Sequence, residues 1–120
     1  MSESALIGMD LGKHTFHLHG QDKSGREVFH KKCSRAQMMQ FFARLPSCVV
    51  AMEACAGSHY VARQLAAMGH AAKLISPQFV KPFVKGNKND FVDAEAICEA
   101  ASRPSMRFVT PKTESQQTLS

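Results

Sequence analysis

The sequence predicts an α/β fold: a five-stranded mixed sheet, strand order 3-2-1-4-5, flanked by helices. Two observations carry this expectation. The first third holds three strand-like segments in succession, which reads as an antiparallel meander. After it, strand and helix patterns alternate, as in a layered α/β domain with helices on both faces. The meander followed by that alternation makes the first and fourth strands adjacent and parallel.

The elements follow in order. Ala5 to Leu11 is apolar and punctuated by Gly8 and Gly12, as expected of a buried strand ending near Asp10. His14 to His19 alternates, with Phe16 and Leu18 towards the core and Thr15, His17 and His19 outward. Asp22-Lys23-Ser24-Gly25 is a turn signal, and Arg26 to Cys33 is the returning strand. Ser34 suits the N-cap of a helix from Arg35 to Leu45, whose Met38, Met39, Phe41, Phe42 and Leu45 recur at helical spacing. They exceed one stripe, so part of this helix is expected to face a partner chain. Cys48 to Met52 is a buried strand running into Glu53. Ser58 is placed as the cap of a helix from His59 to Met68, with Gly69 at its end. Ala71 to Ile75 is a short strand. Ser76-Pro77 opens a short helix that Gly86–Asn89 breaks. The last helix spans about Asp90 to Ser102, and residues 104–120 are expected to be a loose tail.

The chain has 120 residues, 44% hydrophobic and 21% charged, enough for one domain, here placed at 1–103. Lys plus Arg exceeds Asp plus Glu by 15 to 10, a net +5 that favours polyanionic partners, nucleic acid first. No apolar run reaches the ~20 residues of a membrane span, and Met1 to Ser4 carries no signal-peptide n-region. Cys33, Cys48, Cys55 and Cys98 form no CxxC pair and have no zinc-finger histidine spacing, so they read as free thiols.

Asp10 and Glu53 each end an apolar strand, where polar residues are costly unless used. Asp90 and Asp93 stand three apart on the last helix. Sites in open α/β sheets form at the carboxyl ends of strands. Carboxylates gathered there repel, and a hard divalent cation such as Mg²⁺ or Mn²⁺ relieves the repulsion. Two such ions about 4 Å apart can activate one oxygen and stabilise the leaving one in phosphodiester chemistry. Singly, each acid has a plainer role: a strand-end carboxylate, a solvated glutamate, an N-cap, a first-turn acid favoured by the helix dipole. From Ala54 to Asn89 there is no acid, while Arg63, Lys73, Lys81, Lys85 and Lys88 are all present. A basic stretch ending beside an acidic pair suits phosphate contacts near a metal site. Lys13, Lys81, Lys85 and Lys88 are the candidate nucleic-acid contacts, although a solvated basic face would also contain them.

IGMDLGK at 7–13, VVAMEACAGSHY at 49–60, ISPQFVKPF at 75–83 and NKNDFVDAEAI at 87–97 resemble one family over nearly the whole chain, to about Thr110. It is the N-terminal domain of DEDD transposases of the insertion-sequence one-ten type, related to the Piv DNA invertase. The resemblance implies a ribonuclease-H-like fold similar to that of the Holliday-junction resolvase RuvC. It implies metal-dependent chemistry in DNA transposition, with Asp10, Glu53, Asp90 and Asp93 as both catalytic and metal-binding acids. DNA is the implied partner, with a structured RNA from the element as guide and self-association in the full-length protein. The implied location is the bacterial cytoplasm, at the nucleoid. Full-length members carry a second domain with a catalytic serine. Nothing here corresponds to it, so the chain is read as a shortened transposase or a remnant open reading frame, unable to complete strand exchange alone.

Two other classes compete. Asp10-Leu11-Gly12-Lys13-His14-Thr15 also resembles the first phosphate loop of the actin, hexokinase and Hsp70 superfamily, but no second glycine-rich phosphate loop follows. A non-catalytic nucleic-acid-binding or dimerisation module would retain nucleic-acid binding without metal. His17 and His19 share a strand face with no third ligand in prospect, and Cys55 has no histidine placed to activate it.

Overall fold

Strand alternation and crossover geometry decide which residues this sheet buries on which side. The computed structural model describes residues 5–86 and 89–119, with Asp90 and Leu119 described by backbone alone. The strands are β1 (Leu6–Leu11), β2 (Phe16–Gln21), β3 (Glu27–Cys33), β4 (Val49–Glu53) and β5 (Ala71–Ile75). The helices are α1 (Arg35–Arg44), α2 (Ala56–Ala67), α3 (Pro77–Val80), α4 (Asp90–Ala101) and α5 (Glu114–Leu119), with a 3-10 turn at Lys81–Phe83. They form one mixed sheet ordered β3-β2-β1-β4-β5. β1 runs antiparallel to β2 and parallel to β4, as the sequence predicts.

Each face of the sheet has its own core. Ile7, Met9, Phe16, Leu18, Val50 and Met52 pack against Met38 and Phe42 of α1 and Val61 and Leu65 of α2. On the other face Ala51 and Ile75 meet Val80 of α3 and Ala96, Ile97 and Ala100 of α4. α1 begins on a reciprocal cap: Ser34 Oγ accepts from Gln37 N, and Gln37 Oε1 accepts from Ser34 N. Its excess apolar surface is partly covered within the chain, since the Phe41 ring lies 5.6 Å from that of Phe29 on β3.

Three expectations need correction. His17 and His19 are only 7% and 6% exposed, because α4 covers that side of β1 and β2. The alternation was real, but both faces are roofed. α2 starts at Ala56, with Cys55 as N-cap, rather than at His59. Ser58 sits three residues inside the boundary and is fully buried; its hydroxyl accepts from Cys55 N and donates to Cys55 O. As expected, Ser76 and Pro77 open α3, with Ser76 at the N-cap and its carbonyl accepting from Phe79 N at 2.9 Å. The tail, expected to be loose, is docked over residues 109–117. Val109 bridges Leu74 of β5, Lys112 N donates to His59 Nδ1, Arg63 donates to Lys112 O, and Gln117 Nε2 donates to Ala56 O.

Candidate active site

The two strand-end acids meet through register. On β1, Ile7 and Met9 face the layer of α1 and α2, and Gly8 faces α4. Asp10, two residues beyond Gly8, therefore projects to the α4 side. On β4, Ala51 packs on the α4 side, so Glu53 does too. Met9 pairs with Met52, the last pair of that parallel ladder, and Asp10 and Glu53 each follow it by one residue on the two adjacent strands. Both acids are half-buried.

α4 brings Asp93 to the cleft that Glu53 lines. Its N-cap is Asn89, whose side chain accepts from Phe91 N and Val92 N, both at 3.0 Å. Asp90 is thus the first helical residue and not the cap; its side chain lies outside the described residues. Asp93 sits in the first turn, where the helix dipole favours a carboxylate. Asp93 and Glu53 line a single cleft of about 430 Å³ with Pro77, Gln78, Lys81 and Val84. One lysine therefore faces the same cleft as two acids, and the third acid adjoins by register.

Of the other basic candidates, neither Lys13 nor Lys85 lines this cleft. Lys85 is exposed before Gly86, a glycine held at φ +63°. Lys13 is exposed in the turn closed by Gly12 N donating to Thr15 O at 3.0 Å. Lys88 lies outside the described residues. Among the described residues no three His, Cys, Asp or Glu side chains converge as ligands for a metal ion. The donor chemistry of the acids suits a hard cation that keeps several waters, since it offers carboxylate oxygens and neither sulfur nor imidazole.

Two residues of this site escape a reading of the sequence. Gly8 lets α4 approach β1: a Cβ there would lie 2.4 Å from Ala94 O and 2.7 Å from Cys98 N. His17 pairs directly with Asp10 across the β1–β2 ladder and so shares its face. Its ring meets Phe91 edge-on at 4.7 Å, and His30 meets the same phenyl ring at 4.9 Å. Phe91 is thereby wedged between two imidazoles, next to Asp90. The hairpin register is the signal that could have found His17. Cys98, behind Gly8, adds no nucleophile here: burial pushes its thiol up to about 12.

A family model described as a transposase, of the DEDD IS110 type, matches residues 7–120. The transposase for insertion sequence element IS1328 of Yersinia enterocolitica is 62% identical over 120 residues, all of this chain and 36% of the relative. A probable family 20 transposase of Pseudomonas aeruginosa is 56% identical over 94% of this chain and 33% of its own length. The transposase for insertion sequence element IS1111A of Coxiella burnetii is 47% identical over 98% of this chain and 32% of its own. The chain thus spans about a third of the length of these curated relatives. In fold it is similar to T. thermophilus RuvC, solved in complex with a Holliday junction substrate, with a TM-score of 0.58 at 13% identity, covering 87% of this chain and 98% of that one.

Proposed function

Because the chain belongs to the DEDD transposase family of the IS110 type, we propose that it is the domain of a DNA transposase that carries out metal-dependent phosphodiester chemistry. One observation supports this reading: Asp10 and Glu53 each follow the last β1–β4 pair on adjacent parallel strands, and Glu53 shares its cleft with Asp93 and Lys81. Asp10, Glu53, Asp90 and Asp93 would hold Mg²⁺ or Mn²⁺. When bound, such ions activate a water or hydroxyl oxygen and stabilise the leaving oxygen. The residues themselves do the rest. Lys81 draws a phosphate into the cleft, and Lys13, Lys85 and Lys88 hold the neighbouring backbone without reading sequence. The buried floor of β1 and β4 fixes the acids on rigid strands. The substrate is DNA, with branched DNA the natural first probe given the RuvC fold. In the cell it would act at the nucleoid; among the described residues no helix is long and apolar enough to cross a membrane. A guide RNA, self-association and a downstream serine nucleophile complete the proposed full-length reaction, so strand exchange is not expected of this chain alone.

The test is calorimetric titration of Mn²⁺ into the chain and into Asp10→Asn, beside a nicking assay on branched DNA with Glu53→Gln. Loss of metal binding in the first and of nicking in the second is expected. Unchanged metal binding in Asp10→Asn would refute the ligand assignment. DNA binding retained with no metal uptake at all would replace the reading with a non-catalytic binding module.

A further inference from the structure

A second basic surface lies on the other side of the sheet from the acids. The groove between β3 and α1 measures about 400 Å³, and its polar lining includes Lys31, Gln37, Gln40 and Arg44, with Phe41 as an apolar wall. No carboxylate lines it. Between Glu27 and Asp90 the sequence contains one acid, Glu53, and that acid projects to the α4 side. Phosphate would therefore meet no opposing charge in the groove.

β3 is an edge strand, and its consecutive lysines point to opposite faces. Lys32 pairs with His17, which pairs with Asp10, so Lys32 extends the row of the acids on the α4 side. It stands two strand spacings, about 10 Å, from Asp10. Lys31 pairs with Leu18, a core residue of the α1 side, and its Nζ sits 5.4 Å from the centre of the Phe41 ring. The cations thus continue from the acidic row, around the β3 edge, into the groove. Separately, each has a local use. Lysine on an edge strand deters strand pairing, and Arg44 in the last turn of α1 complements the helix dipole. Neither use explains why both border one acid-free trough with two glutamine amides beside them.

We infer that the β3–α1 groove binds a phosphodiester backbone, continuing from the acidic cleft around the β3 edge. Lys31 and Arg44 contact phosphates, Gln37 and Gln40 donate to phosphate or sugar oxygens, and Phe41 offers an apolar face to a sugar or base. The inference rests on the reading that this chain works on nucleic acid. DNA and RNA share this chemistry, and the test separates them.

The test compares the 120-residue chain with Lys31→Gln/Arg44→Gln and with a control of equal charge loss, Lys23→Gln/Arg107→Gln, whose parent residues are also exposed and lie outside the groove. Anisotropy titrations use a branched DNA and a single-stranded RNA over a range of salt. Each lost phosphate contact should cost about eightfold on duplex and about fivefold on single strand at 0.1 M salt, and lower the salt slope by about 0.9 and 0.7 respectively. Loss in the groove variant on one polymer, with the control near wild type, supports the inference and identifies the source. Equal losses in both variants, or none in the groove variant, overturn it. So does wild-type self-association that the groove variant abolishes without changing nucleic-acid affinity. Mn²⁺ titration should be unchanged in the groove variant; a chain that binds Mn²⁺ but no nucleic acid overturns the groove while sparing the metal assignment. A chain that binds neither overturns both.

Discussion

Gly8→Ala should loosen the helix that carries Asp90 and Asp93. The added Cβ would lie 2.4 Å from Ala94 O, 2.7 Å from Cys98 N and 2.9 Å from Cys98 Cβ. Ordinary contact begins near 3.4 Å. The nearest obstacles are backbone atoms of α4, which cannot rotate away, so helix and strand must separate by about 1 Å. Overpacking of this kind costs about 1–3 kcal/mol. For a chain of this size that lowers the melting temperature by roughly 3–15 °C. Gly57→Ala is the matched opposite: nothing lies within 4 Å of a Cβ there, in the first turn of α2. It should stabilise by up to about 1 kcal/mol, because glycine is entropically costly in a helix. Urea unfolding of the three proteins measures both signs, and Mn²⁺ titration of the folded Gly8→Ala chain reads the displaced acids. Gly8→Ala within about 0.5 kcal/mol of wild type, with unchanged Mn²⁺ affinity, would refute the close approach of α4 to β1 as the determinant of acid placement.

Phe91→Leu should keep the fold, losing about 1–2 kcal/mol from two edge-on ring contacts, and should weaken Mn²⁺ binding more than Phe79→Leu, a change at an exposed ring; calorimetry on both variants checks this. Iodoacetamide at pH 8 should modify exposed Cys55 first, since burial pushes Cys48 up to about 11 and Cys98 up to about 12; peptide mass mapping gives the order. The same two thiols make stability fall as pH rises from about 9 through 11–12, because the folded chain keeps protons that the unfolded chain releases; alkaline urea titrations should show the decline, reduced in Cys98→Ala. His59 is held below its ordinary value, first by burial and then by Lys112 and Arg63. Its contribution is present above pH 6.5 and lost as pH falls through its folded value. Protonation also ends its acceptance from Lys112 N, so the docked tail should gain amide exchange at acid pH, while His59→Gln should remove that pH dependence.

The sheet order was legible because it follows from strand count, turn chemistry and the handedness of crossovers, which the run from Ala5 to Ile75 displays openly. Asp10 and Glu53 were legible because a charge at the end of an apolar strand is conspicuous. Other features hide in tertiary contact. His17 and His19 read as a wet face, since alternation reports two unlike sides but not whether a distant helix roofs the polar one. The start of α2 is obscured because Ser58, a good cap by type, bonds back from inside the helix to Cys55. The tail has no period to read; hydrogen bonds to His59, Arg63 and Ala56, about fifty residues or more away, hold it.

That docking has a kinetic consequence. Gln117 Nε2 is tied to Ala56 O at 2.7 Å, and Ala56 is three residues from Glu53. Anything continuing past residue 119 would leave the domain on a leash anchored at the start of α2, three residues after Glu53. A flexible leash of ten residues explores about 17 Å. A group on it would meet the surface within that reach at roughly millimolar effective concentration, without any contact surface of its own. Freed at Val109, the same leash would start at the β5 edge, and that local concentration would fall. The bonds from α5 to α2 therefore act on encounter frequency as well as on stability.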